Sequence, residues 1–221
     1  MCRFLLARTD GALLPGTLIG EFANMAEASR APDGDRQADG WGAAWPDGNG
    51  GWATLVSTTP IWEDRARFDR IPASPFLVLH ARSASFPNQK NVPAYNQPYA
   101  AGPFAFVFNG MLQGVSLPHP VPGDIGAQKI WSLVRERLGA AGPAEALAGT
   151  AALLERSVRR LHGLNLGLAD ARGAYALCRF EEGGTYYQLC RHDSAGLRMI
   201  ASEPLASFDF APVPQGEVIT I

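Results

Sequence analysis

Cys2 is the residue whose type and place say most about chemistry. A Met followed by a small side chain is the setting in which an initiator Met is normally removed. Removal of Met1 would leave the α-amine of Cys2 free beside its own thiol. Such an amine has a pKa near ~8, lower than that of a Lys. One residue would then supply both nucleophile and base, whereas a retained Met would block the amine. The plainer reading of Cys2 is a small core residue in a first strand. Arg82 ends the buried-looking run at 76–81. Its guanidinium fork suits bidentate binding of a carboxylate, or a structural ion pair. Asn109-Gly110 follows the apolar residues 104–108 and, taken alone, reads as a tight turn. Asp124 stands where it could cap a helix. Cys178 and Cys190 read as buried small hydrophobes. Metal spacing is missing: there is no CxxC and no HExxH, and the four His are dispersed. GxxxxGK[ST] and GxGxxG are missing too, so no nucleotide site is expected.

The elements that must place these residues alternate between strand and helix signals. Residues 2–7 and 76–81 are short apolar runs that suit buried strands. Residues 17–30 put Leu18, Phe22 and Met25 at helical spacing behind a Thr17 cap. A loop rich in Pro, Gly and Asp covers 31–40. Residues 41–45 and 52–59 flank PDGNGG as a hairpin. Residues 85–99 form a long polar loop, and loops of that length are usually functional or mobile. Residues 104–108 predict another strand. Two helices follow. The first carries Ile130, Leu133, Val134 and Leu138 on one face, and the second opens on Pro143 and runs to about 163. Short strands are expected at 164–169, 174–180, 185–191 and 197–201, and in the alternating tail GEVITI. Strands in antiparallel clusters with helices grouped between them argue for α+β layers. No repeat or linker divides the chain, so one domain over 1–221 is expected.

Composition narrows the class. The chain has 221 residues, 47% hydrophobic and 18% charged, which is a globular balance. No apolar run approaches the ~18–20 residues of a membrane helix. With a net charge of −2 and scattered Arg, neither nucleic acid nor an anionic membrane is an expected partner. Three Cys and no signal peptide point to thiols in the cytoplasm.

Six segments occur in one order: MCRFL around Cys2, DGWG at 39–42, HARSAS at 80–85, YNQPY at 95–99, FVFNGML at 106–112 and ASEPL at 201–205. Together they resemble the class II glutamine amidotransferase family, whose N-terminal Cys hydrolyses the side-chain amide of glutamine. The resemblance runs from Cys2 to about Leu138, then returns at Ala201–Leu205. It implies the four-layer αββα sandwich of the N-terminal nucleophile hydrolases, two antiparallel sheets between helices. It also makes Arg82 the clamp on the α-carboxylate and lets Ser85 line the same pocket. Asn109 would give a side-chain amide, and Gly110 an N–H, to an oxyanion hole. Asn96 belongs to a loop that shapes the pocket wall, and Gly40-Trp41-Gly42 would allow close backbone approach near Cys2. Two departures stand out. Relatives often have His before the Asn-Gly, where this chain has Phe108. The family's Gly-x-Thr-Asp-Ser-Glu, whose Asp pairs with the α-ammonium of glutamine, reads Gly-Asp-Ile-Gly-Ala-Gln at 123–128. The Asp position is then Gly126, and Asp124 lies two residues early. An unpaired buried ammonium costs several kcal/mol.

The resemblance therefore predicts a stand-alone amidase that cleaves a γ-glutamyl or related amide through a thioester on Cys2, with no cofactor and no metal. One alternative is a glutaminase subunit that feeds ammonia to a separate synthetase. The other is a non-catalytic descendant that binds a ligand or a protein.

Overall fold

The computed structural model describes residues 1–13, 15–31 and 34–221. Strand β1 (Arg3–Leu13) is followed by helix α1 (Pro15–Ala28), the hairpin β2 (Trp41–Pro46) and β3 (Trp52–Ser57), and β4 (Ser74–Ala81). Then come β5 (Tyr99–Ala101), β6 (Phe104–Gln113), helices α2 (Gly126–Leu138) and α3 (Pro143–Ser157), β7 (Arg160–Ala169) and β8 (Ala174–Leu177). The chain closes with β9 (Cys190–Ser194), β10 (Leu197–Ala201), β11 (Ala211–Pro212) and β12 (Val218–Thr220).

The strands form two antiparallel sheets. One runs β11-β9-β10-β1-β4-β2-β3, and the other β12-β8-β7-β6-β5. Period-two alternation splits each inner strand between two cores. Leu5, Leu77 and Leu79 face Leu18, Phe22 and Ala26 of α1. Phe4, Leu6, Phe76 and Val78 face the other sheet, meeting Ala105, Val107 and Ala176. Phe106, Leu166 and Leu168 turn outward onto Ile130, Leu133, Leu147 and Leu154 of α2 and α3. The order of layers is therefore α1, sheet, sheet, α2 with α3: an αββα sandwich, as expected.

Several boundaries differ from the sequence reading. Helix α1 begins at Pro15, so Thr17 lies inside its first turn and not at its N-cap position. The helical pattern read through to about 163 stops at Ser157, and Arg160 already belongs to β7. The apolar stretch there satisfies both periods, and pairing of β7 with β6 decides in favour of strand. Residues 184–186 form a single 3-10 turn in place of an expected strand. Positions 32 and 33 of the 31–40 loop lie outside the described residues.

Candidate active site

Strand β1 carries Cys2 at its entrance, and β4 runs beside it with Arg3 opposite Ala81. By alternation Cys2, His80 and Arg82 share the face of Phe4 and Val78, which looks towards the other sheet. The Cys2 thiol donates to the Ser83 carbonyl over 3.6 Å. Cys2, Arg82, Ser83, Ser85 and Gly110 all line one cavity of about 360 Å³. The main chain holds Arg82 firmly: its N–H donates to the Gly40 carbonyl at 2.8 Å, and its carbonyl accepts from the Asp39 N–H at 2.9 Å. Its side chain is 4% exposed, its Nη1 has no hydrogen-bond partner, and it lies 5.8 Å from the centre of the Tyr95 ring. A buried guanidinium without a carboxylate is costly unless an anion arrives to pair with it.

Asn109-Gly110 is no turn. Both residues lie within β6, opposite Asn165 and Leu164 of β7. Asn109 shares the inter-sheet face of Ala105 and Val107 and is fully buried. Neither its Nδ2 nor its Oδ1 has a partner, which is rare for a buried amide. Gln97 explains how the neighbouring edge of β6 is kept open. Strand β5 pairs no further along β6 than Phe106. Beyond it the Gln97 side chain stands in for a strand: its Oε1 accepts from the Phe108 N–H at 2.6 Å, and its Nε2 donates to the Phe108 carbonyl at 3.3 Å. The ladder repeats every two residues, so the Gly110 N–H points to this same edge, past the end of β5. Gly110 has little room to change, because a Cβ there would meet the Gly163 carbonyl oxygen at 2.1 Å.

The other expected site residues divide. Gly126 lines the cavity at the start of α2. Asn96 does not line it; its amide donates to the Ser57 carbonyl at 2.6 Å and packs beneath Gly40. Asp124 is exposed and also off the lining. Its side chain does not cap α2, since the N-cap position is Ile125 and makes no side-chain bond. Gln128 reaches back instead and accepts the Asp124 N–H at 2.9 Å. Gly40 adopts φ +110°, and a Cβ there would meet the Ser57 carbonyl at 2.3 Å. The close approach read from this glycine is therefore to β3 and Asn96. Trp41 is core, edge-on to Phe68 with its indole N–H on Asp64 at 3.0 Å.

Sequence reasoning missed the groups around the N-terminus. The Met1 carbonyl accepts from Gln37 Nε2 at 2.9 Å and from the Tyr186 hydroxyl at 3.0 Å. The Met1 ammonium lies 3.9 Å from Asp35, which also accepts from the Ser83 hydroxyl. Burial pushes the Asp35 carboxyl up, but the bonds from Ser83 and the Arg36 N–H, with the nearby ammonium, carry it below its usual value. Lys129 was missed as well, and lines the cavity from the first turns of α2. No motif singles out a Gln, a Tyr and a Lys this far apart in sequence. Cys190 and Cys178 are buried away from the site, and burial pushes the Cys190 thiol up to about 12 and the Cys178 thiol upward as well. Among the described residues no cluster of His, Cys, Asp or Glu could hold a metal ion, and no helix is long and apolar enough to cross a membrane.

No family model matches this sequence, and no curated protein does. Solved structures do match. A glutamine aminotransferase class-II domain protein from Silicibacter pomeroyi covers all of this chain and 94% of its own, at 17% identity and TM-score 0.68. Glutamine phosphoribosylpyrophosphate amidotransferase from B. subtilis matches at 13% identity and TM-score 0.68. A structure described as the allosteric regulatory enzyme of purine biosynthesis matches at 13% and 0.71. This chain covers 47% of each of the latter two, about half their length. Identities this low speak for the fold. The chain has the fold of the class II glutamine amidotransferase domains, that of the N-terminal nucleophile hydrolases.

Proposed function

We propose that this protein is an amidohydrolase that uses Cys2, freed of Met1, to cleave a γ-glutamyl or related amide through a thioester. One observation carries the reading. Cys2, Arg82 with its unpartnered Nη1, and Gly110 line one cavity, and the buried Asn109 amide beside Gly110 has no partner. A thiol, an anion clamp and two donors for an oxyanion are the parts acyl transfer needs. In the first half-reaction the α-amine of Cys2 takes the thiol proton and the thiolate attacks the amide carbonyl. The oxyanion is held by Asn109 Nδ2 and the Gly110 N–H. The C–N bond breaks, and the α-ammonium gives its proton to the leaving amine. In the second, the same amine removes a proton from water, which attacks the thioester. The carboxylate leaves, and the thiol regains its proton. Gln37 and Tyr186, which hold the Met1 carbonyl, stand where the freed amine would lie.

The test pairs intact mass with product release. Mature protein lacking Met1 should release carboxylate from γ-amides. Cys2→Ala should lose the activity and trap no acyl group, although it keeps the fold. Protein that retains Met1 in the active preparation, or activity that survives Cys2→Ala, would sink the reading.

A further inference from the structure

The cavity's lining says what the acyl group carries. Its charged residues are Arg82 and Lys129, and among the described residues no Asp or Glu lines it. Helix α2 also presents its first turn there, through Ile125, Gly126 and Ala127. The N–H groups of a first turn carry partial positive charge. The buried Arg82 with its free Nη1 lines the same cavity and adds to its attraction for an anion and its repulsion of an ammonium. Part of the lining is apolar: Leu112 and Leu117 from the end of β6 and beyond, Ile130 and Leu133 from α2, and Leu154 from α3. A cavity of about 360 Å³ is of the size that encloses drug-sized ligands, so it has room for a substituent on the acyl chain.

We infer that the substrate is a γ-amide bearing one carboxylate and no free α-ammonium, its α-nitrogen acylated or absent, with an apolar substituent against α2 and α3. The inference rests on the amidase reading above and narrows it. Free glutamine fits poorly, since its ammonium would sit among positive groups with no carboxylate among the described lining residues to meet it.

Gly126 gives the matching test. A Cβ there meets nothing within 4 Å, and the position lies in the first turn of α2, where an acidic side chain suits the helix. Mature protein would be assayed with glutamine, with the monoamide of pentanedioic acid, and with N-hexanoylglutamine. The kcat/KM for the latter two should exceed that for glutamine at least tenfold. In Gly126→Asp, glutamine should gain at least tenfold relative to the pentanedioic monoamide. A second readout does not need turnover: pentanedioate, but not glutamate, should raise the melting temperature of Cys2→Ala. Equal or better hydrolysis of glutamine by the parent, with glutamate stabilising Cys2→Ala as well as pentanedioate does, would overturn this inference and leave the amidase reading standing. Hydrolysis of none of the three, with neither dicarboxylate binding, would overturn both.

Discussion

Arg82 is held like a tool kept ready. Two main-chain bonds fix its backbone, Tyr95 lies beside the guanidinium, and Nη1 has no partner. No carboxylate among the described residues pairs with it, and a buried cation without a counter-charge weakens the folded state, so its removal should help stability while harming function. Arg82→Met should melt no lower than the parent. Its kcat/KM for a carboxylate-bearing γ-amide should fall by the equivalent of ~2–5 kcal/mol, the usual cost of truncating one side of a buried charge pair. Arg82→Lys should recover only part of that loss, because a single ammonium cannot reproduce the fork. Thermal melts beside steady-state kinetics check both halves. A large drop in melting temperature in Arg82→Met would mean that the guanidinium is structural.

At the scale of elements, the site depends on where strands stop. The Asn109 amide stays buried and unpaired because β6 continues through it, and Gly110 meets the cavity because β5 is short and Gln97 replaces its next residue. Gly40 locks the loop that carries Arg82, through the Arg82 N–H to Gly40 carbonyl bond at 2.8 Å. Gly40→Ala would place a β-carbon against the Ser57 carbonyl and the Asn96 amide in a backbone region that L-residues avoid. The conformational strain alone amounts to about 1–3 kcal/mol. Urea unfolding of Gly40→Ala should show at least that loss, together with a raised KM as Arg82 shifts. Unchanged KM at reduced stability would separate this loop from substrate binding. Much of this arrangement was legible in the sequence. The order of the six segments named Cys2, Arg82 and Gly110 before the cavity joined them; strand and helix periods pointed to an α+β class, and the resemblance implied the four layers. Taken alone, Asn109-Gly110 reads as a turn, because local chemistry cannot see the β7 partner that extends the strand; only the order of the segments made it an oxyanion-hole pair. Gln37, Tyr186 and Lys129 were invisible, since what unites them is position around a fold, not any spacing along the chain.

At the scale of the whole molecule, one ionisable side chain buried where the two sheets meet, His80, gives the fold a response to acid. His80 lies fully buried on the inter-sheet face of β4, between Phe4 of β1 and Gly42 of β2 in the ladder. Neither ring nitrogen makes a hydrogen bond. Burial, and then the Arg82 guanidinium nearby, outweigh the Phe108 backbone, which favours the proton but lies outside hydrogen-bond geometry, and hold the pKa at about 3 against an ordinary 6.5. Below 6.5 the unfolded chain takes a proton that the folded one refuses, so stability is complete above that value and falls as pH drops towards 3. At ~1.4 kcal/mol per pH unit, the loss between pH 6.5 and 4.5 is roughly 3 kcal/mol. The lowered carboxyls of Asp35 and Glu182 push stability the same way, but only below their ordinary values of 3.8 and 4.5. The window above pH 4.5 therefore isolates His80. Urea denaturation across that window should show the slope in the parent and a much flatter one in His80→Leu, which keeps the volume and removes the proton site. Equal slopes in the two proteins would place the acid sensitivity elsewhere. His80 thus shares the inter-sheet face of β4 with Arg82, so the side chain that makes the fold sensitive to acid lies next to the cavity at Cys2 and is held neutral in part by a residue that lines it.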